Sequence, residues 1–118
     1  MSVSADYHDF VVEQLAALPR LSSRRMFGGV GLYADGLFFG LIDDDVLYLK
    51  VDDTNRPDFE RLGMSRFQPF ADRPDKSMSY YTVPADVLED AEQLCEWARR
   101  SMAAAVRSGP RRPRKPSR

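Results

Sequence analysis

Cysteine and histidine are nearly absent from this 118-residue chain, which has one of each, Cys95 and His8. A lone cysteine excludes an internal disulfide framework and puts a Cys-rich zinc site out of reach. A lone histidine excludes a metal site built on two imidazoles of one chain. No Ser-His-Asp set can be picked out and no histidine stands near Cys95, so nucleophilic catalysis has no support. Long apolar runs are missing too. No N-terminal stretch resembles a signal peptide, and none is long enough to span a bilayer. Together these absences predict a cytoplasmic protein that is not an enzyme, holds no metal or cofactor and does not enter a membrane.

What the chain does have is an ordinary globular composition, 43% hydrophobic and 30% charged, in a length suited to one domain with one modest core. Its net charge of −1 hides an asymmetry. The segment from Arg107 to Arg118 carries Arg107, Arg111, Arg112, Arg114, Lys115 and Arg118 with no acid, six of the 17 basic residues. The 11 that remain face 18 acids, so the body is clearly acidic. Pro110, Pro113 and Pro116 block regular structure in that segment, and its like charges repel. Residues 107–118 therefore read as a basic, disordered Pro/Arg-rich tail behind a domain of residues 1–106.

Tyr7, Phe10, Val11, Gln14, Leu15 and Leu18 repeat at helical spacing. They predict an amphipathic helix from Ser4, its cap, to Leu18, with Pro19 ending it. From Arg24 to Lys50, three apolar stretches separated by two turn signals predict a three-stranded antiparallel meander. Asp35-Gly36 suits a two-residue type I′ turn, and Asp43 to Asp45 form the next turn. In the second strand Leu37, Phe39 and Leu41 alternate with Phe38, Gly40 and Ile42, so both faces are apolar. One face should carry helices, and a second copy of the chain is the expected cover for the other.

A short helix over Arg56 to Leu62 follows, stopped by Gly63. Strands are expected near Ser65 to Pro69 and Met78 to Val83, around a polar loop at residues 72–77. A helical turn at Ala85 to Leu88 precedes a final helix from Asp90 to Val106. Asp90 with Gln93 gives an approximate capping box. Leu94, Trp97, Ala98, Ser101, Met102 and Ala105 define one face of that helix. The order α-β-β-β-α-β-β-α predicts a two-layer α+β fold, a five-stranded antiparallel sheet with helices packed on one face.

Candidate chemistry is thin. Gly28-Gly29-Val30-Gly31 lacks the strand-to-helix context of a phosphate loop, so the glycines are expected where backbone or a large side chain approaches closely, or at a bulge. Asp43-Asp44-Asp45 and Asp52-Asp53 lack the ligand spacing of a calcium loop and read as solvated turns. Cys95 reads as a packing residue and His8 as a surface or boundary residue. Arg24, Arg25, Tyr48 and Tyr80 could line a small-molecule cleft. In the tail, Arg111, Arg112, Arg114 and Lys115 are candidate nucleic-acid contacts through phosphates, without sequence readout.

The run Arg25-Met26-Phe27-Gly28-Gly29-Val30-Gly31-Leu32-Tyr33, then Gly36-Leu37-Phe38-Phe39 and Tyr48-Leu49-Lys50, resembles the N-terminal domain of the TfoX/Sxy family. So do Phe67, Pro69-Phe70, Met78, Tyr80-Tyr81, Pro84 and Trp97. The match reaches nearly to Val106. The resemblance implies a two-layer α+β domain similar to secretion-chaperone-like folds. It also implies kinship with two-domain regulators of natural competence, which act with a cyclic-AMP-responsive transcription factor. Their second, helical domain is expected to be missing here, with only the basic tail in its place. The motif residues are carried over as determinants of fold and surface. The expected function is a non-enzymatic regulatory or interaction domain, homodimeric, with a protein partner linked to transcription. The alternatives are a nucleic-acid-associated protein using the tail, or a small-molecule-binding domain.

Overall fold

Residues with positive φ mark the hairpins. The computed structural model, which describes residues 3–26, 28–67 and 80–108, places Asp35 at φ 53° and Gly36 at 76°. This pair makes the type I′ turn between β2 (Gly29–Ala34) and β3 (Leu37–Asp43). The turn into β4 (Val46–Lys50) uses Asp44 and Asp45, at 54° and 58°, with no glycine. Asp tolerates this conformation because its short side chain bonds locally. It is tighter than the expected three-residue turn, since Asp43 already pairs with Val46. Asp45 also works at long range, accepting the N–H of Ser4 at 2.8 Å.

The first expected strand is two strands. β1 (Ser22–Met26) precedes a reversal at Gly28 (φ 81°), after which Met26 lies opposite Gly29. The close approaches expected of the glycines are present. A Cβ on Gly29 would stand 2.5 Å from the carbonyl oxygen of Ile42, and one on Gly31 would meet Met26 Cε at 2.7 Å and Phe38 Cε1 at 3.1 Å. The fifth strand, β5 (Tyr80–Thr82), pairs with β4, and the antiparallel order is β1-β2-β3-β4-β5. The strand expected near Ser65 is reduced, among the described residues, to a bridge between Arg66 and Tyr81. The five-stranded antiparallel sheet is thus as expected, with its strands drawn partly from other segments. The loop at residues 72–77 lies outside the described residues.

α1 (Ala5–Gln14) starts as expected, with Ser4 Oγ accepting the N–H of Tyr7 at 3.1 Å. It stops a turn before Leu18, and Phe10 is 36% exposed rather than buried. Leu15 and Leu18 still reach the core through a tight turn in which the N–H of Leu18 bonds Leu15. α2 (Arg56–Arg61) ends before Gly63, at φ 74°. α3 (Ala85–Leu88) is the expected single turn, and α4 (Ala91–Ser108) follows Asp90, whose carboxylate accepts the N–H of Gln93 at 3.1 Å.

All four helices serve one face of the sheet. Val11, Leu15, Phe59, Val87, Leu94, Cys95 and Ala98 form one cluster with Val30, Leu32, Ala34, Ile42, Leu47, Leu49 and Tyr81. Polar anchoring is concentrated at the carbonyl of Lys50. It accepts Ser101 Oγ at 2.7 Å and Asn55 Nδ2 at 3.1 Å, and both donors are buried.

Gly29→Ala is expected to cost about 1–3 kcal/mol, because a backbone carbonyl cannot step aside and strands must separate. Gly31→Ala should cost less, since the end of a flexible methionine can move. Urea unfolding of the two variants checks this, and equal midpoints would contradict it.

Candidate interaction surface

Alternation along the strands defines the face turned away from the helices. Arg24 of β1 lies opposite Gly31, and Met26 opposite Gly29. Across the next pairs Gly31 opposes Leu41, Tyr33 opposes Phe38, and Leu41 opposes Tyr48. Lys50 then opposes Tyr80, and Tyr48 opposes Thr82. Arg24, Met26, Tyr33, Phe38, Leu41, Tyr48, Lys50 and Tyr80 therefore share one side. Simple alternation put Leu41 with Phe39, and the structure separates them. A register shift leaves Phe39 unmatched between Gly40 and Phe38, so Phe39 joins the core while Leu41 faces away.

The aromatic rings on this face form a row. Tyr33 and Phe38 stack with centroids 5.1 Å apart, and Phe38 meets Tyr80 at 5.7 Å. Each end of the row carries a cation. The Arg24 guanidinium stands 5.9 Å from the Tyr33 centroid, and Lys50 Nζ 5.2 Å from that of Tyr80. Nearby, Tyr48 packs on Phe67 at 4.8 Å. Leu41 and Tyr80 are buried within the single chain, whereas Met26, Tyr33, Phe38 and Tyr48 keep part of their surface in water. The row is a half-covered apolar strip with positive ends.

Burial pushes the Tyr80 phenol up to about 12, and neighbouring Tyr33 adds a smaller push. Tyr48 is raised as well, by burial first and then by Asp43 and Asp44.

The motif residues divide by role. Met26, Gly29, Gly31, Tyr33, Tyr48, Lys50 and Tyr80 belong to the outer face; Gly28 and Gly36 make turns. Tyr81, one residue on from Tyr80, points to the helix side, where it meets Phe59 at 5.8 Å and donates to Glu60 at 2.9 Å. Trp97 packs edge-on against Phe59 at 4.8 Å, and Pro84 caps α3 through its carbonyl. Arg25 is on the helix side of β1, opposite Val30. The four residues considered for a small-molecule cleft, Arg24, Arg25, Tyr48 and Tyr80, therefore do not converge. Phe27, Pro69, Phe70, Met78, Arg111, Arg112, Arg114 and Lys115 lie outside the described residues.

One anchor was not visible in the sequence. Asp52, read as a solvated turn, takes Arg107 Nε at 2.6 Å and Arg107 Nη2 at 3.1 Å, and that nitrogen also reaches Thr54 Oγ1 at 2.6 Å. The guanidinium holds the Asp52 carboxyl well below the usual carboxylate range, helped by Thr54 and opposed by partial burial. Fifty-five residues separate the pair, and no local pattern announces it. Among the described residues no cluster of His, Cys, Asp and Glu could hold a metal ion, and no helix is long and apolar enough to cross a membrane.

A family model for the TfoX N-terminal domain matches residues 13–105, most of the chain. The chain belongs to the TfoX N-terminal domain family. It is 32% identical over 89 residues to the DNA transformation protein TfoX1 of Aliivibrio fischeri (strain ATCC 700601 / ES114), covering 70% of this chain and 43% of that protein. The chain thus spans less than half the length of the relative. The match contains the whole sheet, α2, α3 and most of α4, while α1 lies almost entirely before it.

A phenol whose folded pKa exceeds the unfolded value of about 10 holds its proton better when folded. Tyr80 therefore contributes stability fully below pH 10, and this is lost as pH rises through 12. Phenolate absorbance on alkaline titration should show a tyrosine ionising near pH 12 that disappears in Tyr80→Phe. Ionisation of every tyrosine near pH 10 in the folded protein would show that the ring is open to water.

Proposed function

We propose that this TfoX N-terminal domain is a non-enzymatic interaction module of a cytoplasmic regulatory assembly linked to transcription. The observation that carries the reading is the half-covered aromatic row with Arg24 and Lys50 at its ends, on the sheet face away from the helices. Its tyrosines, Phe38, Met26 and Arg24 are of the residue types enriched at contact surfaces between proteins, although lysine is not. The kinship with a protein named for DNA transformation supports a role near competence or its control. A second copy of the chain is one partner this face would accept.

The test is capture from the native cell with the wild type and with a Tyr33→Ser/Tyr48→Ser variant that retains a cooperative thermal transition. The expected result is loss of specific partners in the variant. Identical partners in both would sink the face as the contact surface. Light scattering on the purified chain checks the homodimer, which a strict monomer at tens of micromolar would remove.

A second reading rests on charge. Arg111, Arg112, Arg114 and Lys115 would bind nucleic acid through phosphates, with affinity falling steeply as salt rises. Arg107 itself is held by Asp52, which ties α4 to the loop after β4. Removing residues 109–118 should abolish retention on DNA across a salt series. If the shortened and full chains bind alike, the tail is not the contact.

A further inference from the structure

The two edges of the sheet are not equivalent. Beside β5, the N–H of Phe67 donates to Tyr80 O at 2.8 Å and the N–H of Thr82 to Ser65 O at 3.0 Å, so a neighbouring segment pairs with that edge. β1 is the other edge, and its residues Ser22, Ser23, Arg24 and Arg25 are all exposed. Met26 and Gly29 face each other across a two-residue connection, the bonded position of such a hairpin. Antiparallel alternation then turns the N–H and C=O of Ser23 and Arg25 away from β2. Among the described residues these outward groups meet no partner.

Two adjacent arginines, neither paired with a carboxylate among the described residues, mark this edge. Arg20, Arg56, Arg61, Arg100 and Arg107 each pair with a carboxylate. Arg24 and Arg25 have no carboxylate partner among the described residues, and they stand on opposite faces of the edge. Arg24 lies over Tyr33. Arg25 lines a cleft of about 260 Å³ between β1 and the start of α1, with Ser4, His8, Ser23 and Val30. Within that cleft His8 Nε2 lies 2.9 Å from Ser23 Oγ.

We propose that the open edge of β1, Ser22–Met26, docks an extended acidic segment of a partner protein as a sixth antiparallel or parallel strand. Main-chain bonds from Ser23 and Arg25 supply the pairing, and carboxylates on alternate sides of the added strand reach Arg24 and Arg25. This site shares the Arg24 guanidinium with the aromatic row, but its main-chain pairing does not use the rings. A second copy of the chain does not fit the edge, because pairing β1 with itself brings the Arg24 and Arg25 guanidiniums of both copies together, and opposed like charges destabilise. Nucleic acid fits it poorly as well. The edge presents donors and acceptors in alternation, and phosphates offer only acceptors.

The test uses the full chain and a synthetic peptide in which pairs of adjacent glutamates are separated by single threonines, so that carboxylates fall on both faces of the strand. The same pattern in lysine and threonine is the control, and binding is followed by fluorescence anisotropy and amide hydrogen exchange. The glutamate peptide should bind, weaken as salt rises, and slow exchange at Ser23 and Arg25. Arg24→Glu/Arg25→Glu should lower its affinity about tenfold or more and transfer binding to the lysine peptide, a swap that an unfolded variant cannot show. Tyr48→Ser, whose ring packs on Phe67 and not on Arg24, should leave this binding intact, so failure of the aromatic face would not be mistaken for failure of the edge. No binding, unchanged affinity after charge reversal, or protection confined to other strands would overturn the proposal. So would single-stranded DNA displacing the peptide without slowing those two amides.

Discussion

The close approach of side chains and backbone over Gly29 and Gly31 is the constraint on which the sheet depends. With no Cβ at Gly29, β2 can pass within contact of the Ile42 carbonyl. With none at Gly31, Met26 from β1 and Phe38 from β3 both reach over β2. From Phe38 the ring row continues to Tyr80. Bulk at either site would force neighbouring strands apart, and both apolar layers would lose packing at once. Densely packed interiors give little room for such displacement.

Much of this architecture was legible in the sequence because it follows from local chemistry. Asp35-Gly36 specifies a turn by its tolerance of positive φ, Ser4 caps a helix, and Gly63 ends one. The helix face from Leu94 to Ser101 follows from period alone. What escaped had non-local or irregular causes. The two strands hidden in residues 22–34 are divided by a reversal at Gly28, inside a run that a propensity reading treats as continuous. The register shift at Phe39 puts Phe39 and Leu41 on opposite faces, since one extra residue inverts a period of two. Pairing of Asp52 with Arg107 is set by where α4 ends relative to β4, which no spacing encodes.

The helix layer is held on by apolar burial and positioned by a few polar bonds. Ser101 and Asn55 converge on the Lys50 carbonyl from α4 and from the loop after β4. Cys95 Sγ lies 3.4 Å from the carbonyl of Gln14, and Gln14 Nε2 donates to Leu88 O at 3.0 Å. These join α1, α3 and α4. Each such bond contributes about 0.5–1.5 kcal/mol net, but leaving a buried partner unsatisfied costs about 1–3. The bonds at Lys50 therefore select one placement of α4 more strongly than they stabilise it. Because Lys50 sends its carbonyl inward and its ammonium over Tyr80, the same residue registers the helix layer and ends the outer row.

The distribution of charge gives the two candidate surfaces different tasks. The body carries an excess of acid, so most of its surface repels acidic partners and nucleic acid at a distance. Around β1 this is reversed locally by Arg24 and Arg25, while paired arginines elsewhere have their charge neutralised. An edge strand bearing adjacent cations resists pairing with its own copy, which is how sheet proteins avoid uncontrolled edge-to-edge growth. The same charges leave the edge open to a strand of opposite sign. Arg24 belongs to both surfaces, with its guanidinium over the Tyr33 ring and its backbone in the edge strand. A ligand at the edge that drew this guanidinium away would uncover the end of the aromatic row, so occupancy of one surface would alter the other.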